Sequence, residues 1–483
     1  MSNPYSPGNI LSVLISNSLF IAIAAFAIYL FTTPYYTFAF VPILALITIF
    51  VFFKRPQYAL FLMIFLVPFD IFRESLSSLK FLSVSKLLGV ILIAIVFFRL
   101  VMYKQEVNRF KSNLWPFFVL FLTVALISAT MSDFQETAFD DVRKMLTVYM
   151  FFFLSLAIVT NKHIKETLPG VFIWSVSLAS LLSVAGYVFD ISFFAMDISG
   201  KTLKRGVGAS NDPNFFSSMI VFVTPFIINR LFGNYDVKTK LIAVLLLVVN
   251  VGGLVLTFSR TGVFIFALIT VASLLIYRDK VKVKQMGFFL LFIAMVIIAA
   301  KVTIPDKFWQ RQLTLSRTGD DSISRRITYL YVGWDTFREH PFVGTGPGTF
   351  HELYALSKYV TAYIDESAEG EVLHGSYYRD AHNSYLEIVV GMGAGGIVTI
   401  LLIFAVVIRN FLKSIKQFLL NGDIEMALLS KTYLMSFMSQ AISYAFLSFV
   451  YQKYIWLLIA VSQVVLHAAK GQGDQKEQGV LLG

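Results

Sequence analysis

The residues of this chain equipped for chemistry are a few arginines and one histidine, set at the ends of long apolar runs. Arg260 lies in Phe258-Ser-Arg-Thr-Gly262, a short connection between two such runs, so its guanidinium has little freedom to swing into water. A guanidinium held at a membrane boundary either snorkels to lipid phosphates or acts as a bidentate clamp for a phosphate group. Arg205 opens Arg205-Gly-Val-Gly-Ala-Ser-Asn-Asp-Pro-Asn214, where Asn211 or Asp212 can cap the next helix and Pro213 suits its first position. The bland reading of that stretch is a helix entry; the functional one adds Arg205 as a charge facing an anionic headgroup. His382 lies in Asp380-Ala-His-Asn-Ser-Tyr-Leu-Glu387, where a further apolar run begins. The positive end of a helix dipole there lowers the imidazole pKa and keeps the ring neutral. Neutral imidazole is what a general base needs; a cap or surface role is the plainer alternative.

The elements that must position these side chains are membrane spans. Of 483 residues, 57% are hydrophobic and 14% charged, against about 25% charged in soluble domains. Apolar runs recur at roughly the 17–23 residues that cross a hydrocarbon core. Fourteen spans are predicted, at about 10–31, 37–53, 57–70, 84–102, 114–130, 145–160, 168–189, 213–231, 239–257, 261–277, 285–303, 383–408, 431–450 and 453–468. Lipid offers no partner to backbone groups, so these are helices. The third is short, ends near Pro68 and reads as tilted or re-entrant. The fold class is therefore an all-α polytopic membrane protein of about 12–14 transmembrane helices, with one large periplasmic loop containing amphipathic helices.

Charge orients the bundle. Lys54-Arg55, Arg99 to Lys111, Lys162 with Lys165, Lys238 with Lys240, Arg278 to Lys284 and Arg409 to Lys431 all fall on one face, which the positive-inside rule places in the cytoplasm with both termini. Asp133 to Asp141, Asp190 to Asp212 and segment 304–382 occupy the opposite face. The net charge of +11 is thus partly a topology signal and carries no implication of nucleic-acid binding. With no cysteine, disulfides and thiolate metal sites are excluded. The start, MSNPYSPGNI, lacks a basic region and cleavage site, so the first span reads as a retained helix. The chain divides into N-terminal spans (1–203), central spans (204–303), a loop subdomain (304–382), C-terminal spans (383–468) and a tail (469–483) that reads as disordered and cytoplasmic.

Within the loop, Ser324 to His340 has helical periodicity. Ile327, Leu330, Tyr331, Trp334 and Phe337 form one apolar stripe, with Arg326, Asp335 and Arg338 off it. Ser324 suits the N-cap and Pro341 forces the stop. Such a helix lies along a membrane surface. Gly344-Thr-Gly-Pro-Gly348 then turns the chain into a shorter helix ending near Tyr359, and the acidic stretch 364–375 reads as mobile. Gly391, Gly393, Gly395 and Gly396, beyond His382, let a neighbouring helix approach closely.

These residues resemble the O-antigen ligase and polymerase superfamily, polytopic proteins with one large periplasmic loop before the last few spans. One ligase motif, Arg then three residues then Leu, is matched by Arg326-Ile-Thr-Tyr-Leu330. Another starts with His followed by Asn, Ser or Gln; nine residues later comes Gly, and two residues after that Gly, Thr or Tyr. It is matched by His382, Asn383, Gly393 and Gly396. Ser259-Arg-Thr-Gly262 and Pro341-Phe-Val-Gly-Thr-Gly-Pro-Gly-Thr-Phe350 also look like the family pattern. The resemblance is best over about 205–400. It implies a glycan donor on undecaprenyl pyrophosphate, held by Arg260 and Arg326, and an acceptor hydroxyl deprotonated by His382. Arg205 and Arg325 are secondary candidates for donor contacts, and Asp380 and Glu387 for orienting the imidazole. No Asp-x-Asp pair or His-carboxylate cluster suggests a metal, and no cofactor is implied.

A ligase passes the glycan to lipid A core or a similar acceptor, and a polymerase to another lipid-linked repeat. A protein-glycosylating relative is a third option, although those often carry a C-terminal soluble extension. A transporter or flippase fits less well, because the charges within the spans cluster at their ends, as with Lys86, Arg260 and Glu387, while mid-span Asn250 and Gln440 are uncharged.

Overall fold

The computed structural model describes residues 40–69, 84–103, 110–191, 194–197, 204–208, 212–278, 321–359 and 379–481, apart from isolated positions. The first and eleventh predicted spans and the acidic stretch 364–375 lie outside these. The chain forms two compact units. One holds α1 (Phe40–Lys54), most of α2 (Pro56–Phe65) and α3 (Val84–Tyr103). There Arg99 donates to the carbonyls of Phe53 and Lys54 at 2.6 and 3.1 Å, satisfying the open C-terminal end of α1. Pro56 follows, and Ile47–Lys54 meets Pro56–Phe65 at 107°. The third predicted span is therefore the second limb of a broken or re-entrant pair.

The second unit holds α4 (Trp115–Thr130), α5 (Gln135–Ile158), α6 (Leu168–Val188), α7 (Pro213–Phe232), α8 (Val237–Leu256), α9 (Arg260–Ile276), α10 (Asp321–Glu339), α11 (Phe350–Leu356), α12 (Ser384–Leu420), α13 (Ile424–Ser443) and α14 (Lys453–Leu481). A π-helical turn, His163–Thr167, leads into α6. Among the described residues, five stretches are long and apolar enough to cross a membrane: His163–Val188, α7, α8, α12 and Lys453–Gly471 of α14. Leu87–Val101, α4 and α9 are shorter apolar helices. The chain is an all-α polytopic membrane protein. Its one departure among the described residues is a two-stranded antiparallel ribbon, β1 (Ala195–Asp197) with β2 (Lys204–Gly206).

Helix α7 and the Lys453–Gly471 stretch of α14 are apolar and largely buried, and sit at the centre of the unit, as such helices must. Tyr454 through Val461 are wholly buried. Phe222 stacks on Tyr454 at 4.4 Å, and Trp456 meets Phe118 of α4 edge-on at 5.5 Å. Helix α12 runs to Leu420, past the predicted end at 408. Helix α14 continues to Leu481, where an unstructured tail is predicted. Once a packed helix exists, each added residue gains a hydrogen bond without a new nucleus.

The organising feature of the second unit is a break in α12. Gly393 has φ 58 and ψ −156, conformations open essentially only to glycine. The segment 341–349 crosses α12 at this point. Thr345 N–H donates to the Val390 carbonyl and Gly346 N–H to that of Gly391, both at 3.0 Å. In exchange, Ala394 N–H donates to the Pro341 carbonyl at 2.8 Å and Gly395 N–H to that of Phe342 at 3.1 Å. Those carbonyls and amides are the pairs that an unbroken helix would join to each other, so the loop replaces two helical bonds with four of its own. Ser128 of α4 adds a bond to the Gly391 carbonyl at 2.6 Å.

The glycines follow from this crossing. A Cβ on Gly391 would lie 2.8 Å from the Gly346 carbonyl oxygen, and one on Gly393 2.5 Å from the carbonyl carbon of Phe342. What approaches Gly391 and Gly393 is the loop backbone, while Gly395 also meets the neighbouring helix α4, a Cβ there falling 3.1 Å from Val124.

Candidate active site

His382 immediately precedes the N-cap of α12. Asn383 is the cap, its side-chain oxygen accepting from Leu386 N–H at 3.1 Å. The chain enters from the left-handed region, with His382 at φ 49, a conformation uncommon outside glycine but more accessible to His, Asn and Asp. It is pinned on both sides. Ala381 N–H donates to Glu387 Oε1 at 3.1 Å. Ser384 N–H donates to the carbonyls of Tyr444 and Leu447, and Ser384 Oγ both donates to Leu447 O at 2.6 Å and accepts from Phe449 N–H at 2.9 Å. Glu387 thus holds the backbone beside His382, and the same carboxyl oxygen takes the Ser448 hydroxyl.

Around the imidazole stands α10. Its first residue is Asp321, ahead of the predicted cap at Ser324, and Glu339 ends it before Pro341. The face turned to the protein carries Thr328, Tyr329, Val332, Gly333 and Thr336. Leu330, Tyr331 and Trp334 of the predicted apolar stripe are more than half exposed. The small residue explains the choice of face: a Cβ on Gly333 would fall 2.3 Å from Leu386 of α12, so only this face lets the two helices approach. Tyr329, Val332, Phe350, Tyr354, Ala381 and Val390 form one buried cluster joining α10, α11 and α12. Helix α11 ends at Leu356, short of the predicted Tyr359. Tyr329 lies with its ring 6.5 Å from that of His382.

Arg325 and Arg326, half-buried one turn before Tyr329, complete this side. The His382 pKa is pushed below its ordinary value, first by burial, then by the Arg326 cation, with a smaller contribution from Arg325. Asp212 and Asp380 pull the other way. The direction is the one a helix N-terminus suggests, but desolvation leads among its causes.

The remaining arginines sit at the 257–262 connection and the ribbon. Ser259 caps α9 by accepting from Gly262 N–H at 3.2 Å, and Arg260 is the first helical residue. Phe258 before it is left-handed, φ 52. Arg205 on β2 donates through Nε to the Thr257 carbonyl at 2.8 Å and reaches Asn214 Oδ1 at 3.4 Å. Its guanidinium therefore braces the strained turn that presents Arg260, a role the sequence does not reveal. Asp212 caps α7, accepting from Asn214 N–H and Phe215 N–H at 2.6 and 2.8 Å.

A small crevice lies beside the 257–262 connection. Asn214, Ser217, Ser259, Thr261, Ser443 and Leu447 are among the residues lining it. Leu447 also supplies the carbonyl that fixes Ser384, two residues from His382. Arg325, Arg326 and Asp212 thus lie near enough to His382 to act on its charge, while Arg205 ties the 257–262 connection that carries Arg260 to Asn214, two residues beyond Asp212. Sequence reasoning took Asp212 as a cap alone and passed over Tyr329; Asp212 is signalled only by its place before Pro213, and Tyr329 only by helical spacing from Arg325 and Arg326.

Such an arrangement can bind a polyanion through guanidinium groups and accept a proton on a neutral imidazole. Residues 242–403 match a family model described as O-antigen ligase. No curated protein is similar enough to match.

Proposed function

We propose that this chain, whose residues 242–403 match the O-antigen ligase family model, transfers a glycan from undecaprenyl pyrophosphate to an acceptor hydroxyl. In this reading it is a multi-pass protein of the bacterial inner membrane, with its site on the periplasmic face, and the acceptor is lipid A core or a similar glycan. His382 takes the proton of the acceptor hydroxyl. The acceptor oxygen attacks the anomeric carbon, and the bond from that carbon to the pyrophosphate oxygen breaks, its electron pair leaving with the pyrophosphate. Arg260 and Arg326 stabilise the charge that gathers there, with Arg325 beside them, which makes the step independent of a metal. Arg205 serves by holding the turn before Arg260. A single displacement inverts the anomeric centre. The exposed stripe of α10 rests in the lipid headgroup region, where Trp and Tyr are favoured.

The observation that carries this reading is a half-buried imidazole at the start of α12, its ring 6.5 Å from that of Tyr329 and close enough to Arg326 for the cation to disfavour its charged form. His382→Ala leaves the protein inserted and abolishes transfer. The probe is undecaprenyl-pyrophosphate-linked glycan from cells deleted for the gene, incubated with purified protein and acceptor. Normal turnover by the variant would sink the base role. The second reading, a polymerase that extends lipid-linked repeats, differs only in acceptor. Surface-glycan gels of the deletion strain separate them: full-length chains left on the carrier indicate a ligase, and core capped by a single repeat a polymerase.

A further inference from the structure

The turn between α13 and α14, residues 444–452, lies beyond the residues that match the ligase family, yet it builds the seat of His382. The backbone donors of Ala381 and Ser384, on either side of His382, are tied to Glu387 and to this turn respectively. Ser384 N–H is shared by the Tyr444 and Leu447 carbonyls, and Phe449 N–H closes the loop onto Ser384 Oγ at 2.9 Å. On the other side of His382, Ala381 N–H ends on Glu387 Oε1 at 3.1 Å, and that same oxygen takes the Ser448 hydroxyl. Glu387 lies one helical turn into α12, so its carboxylate reaches back over the helix start in the manner of a capping box.

We propose that Glu387, latched by Ser448, is a positioning residue for His382, holding it in its left-handed conformation so that the imidazole meets the acceptor hydroxyl. The proposal rests on the base role of His382. The φ of 49 is a conformation His382 would not favour on its own, and it persists because the chain is fixed at Ala381 and at Ser384. Without the carboxylate, Ala381 N–H is left without that acceptor and His382 can relax toward ordinary backbone angles. The imidazole then moves while the arginines, on α9 and α10, stay where they are. A displacement of about 1 Å in a reacting group costs on the order of a hundredfold in rate. Glutamine keeps an acceptor oxygen at the same reach; leucine keeps the volume and loses it.

The experiment compares Glu387→Leu, Glu387→Gln, Ser448→Ala and His382→Ala as purified full-length proteins. The donor is undecaprenyl-pyrophosphate-linked glycan from cells deleted for the gene. Glu387→Leu is expected to lose about a hundredfold in kcat with donor KM unchanged. Glu387→Gln should stay within a fewfold of the parent, and Ser448→Ala should lose several-fold in kcat alone. Parent-like kcat in Glu387→Leu, a loss residing in KM, or glutamine as impaired as leucine would overturn the proposal. Should the leucine variant fail to insert, an unchanged kcat in Ser448→Ala overturns it. Normal turnover by His382→Ala would instead defeat the base role itself. An inactive His382→Ala beside a fully active Glu387→Leu removes only the positioning role.

Discussion

Replacing Gly393 by alanine tests whether the broken helix holds the site together. The substitution forces a Cβ onto φ 58, ψ −156, which costs about 1–3 kcal/mol in backbone strain alone. It also drives that Cβ to 2.5 and 2.6 Å from the carbonyl of Phe342 and to 2.7 Å from Val343 N. Those neighbours are backbone, so relief comes only by moving segment 341–349 off the helix. That motion releases the four crossing hydrogen bonds, each worth about 0.5–1.5 kcal/mol net. The total is several kcal/mol, and α10 with Arg325 and Arg326 moves with the segment. Gly422→Ala is the control: Gly422 also has positive φ, 78, but nothing lies within 4 Å of its Cβ position, so its cost is the left-handed strain of about 1–2 kcal/mol. Thermal unfolding of the two variants in detergent, with limited proteolysis around Pro341, reads the difference. Gly393→Ala should melt well below Gly422→Ala, be cut within the crossing segment and lose transfer. Equal melting of the two variants, with transfer intact, would refute the crossing as a structural joint.

The other predictions concern the imidazole and the clamp. Removing the Arg326 cation relieves the charge that disfavours imidazolium, so Arg326→Gln should move the acid limb of the kcat/KM profile to higher pH; a limb that stays put or moves down contradicts the geometry. Asp212 acts in the opposite sense, and Asn caps helices as well as Asp, so Asp212→Asn should shift that limb to lower pH with little change in melting. In both, activity falls as pH drops through the His382 pKa, because only the neutral ring accepts the proton. Arg260→Lys loses the bidentate fork and with it one charge-assisted hydrogen bond of about 1.5–3 kcal/mol, a loss of tenfold or more in kcat/KM; parent-like kinetics with purified lipid-linked donor would make Arg260 a lipid anchor.

Apolar run length made the polytopic class legible, because lipid thickness sets that length and nothing else in a chain demands it. The spacing from His382 through Asn383 to Gly393 and Gly396 was legible as a pattern, and the structure supplies its physical reason in the cap at Asn383 and the break at Gly393. The stripe of Ile327, Leu330, Tyr331, Trp334 and Phe337 reads in the sequence as a face laid on a membrane surface, and Leu330, Tyr331 and Trp334 do turn away from the protein. What was not legible is the opposite face, where closeness of approach at Gly333 brings α10 onto α12. The crossing of 341–349 with α12 was also hidden, since a backbone ladder between a loop and a helix has no side-chain period to read. The bracing role of Arg205 was hidden for a related reason: a guanidinium that braces a carbonyl, as it does at Thr257, has the same composition as one that waits for phosphate.

The break at Gly393 has a consequence for how this protein is made. Residues 341–349 leave the ribosome before α12 does, yet that earlier segment partners the Val390 carbonyl and the amides of Ala394 and Gly395, and shares the Gly391 carbonyl with Ser128 of α4. Alone in the bilayer, α12 would carry a gap in its own ladder, and open amides and carbonyls are costly in hydrocarbon. Its insertion is therefore complete only when the preceding loop has come back to meet it, so a chain that has seated this helix has, by the same event, assembled the ground on which its histidine and arginines stand.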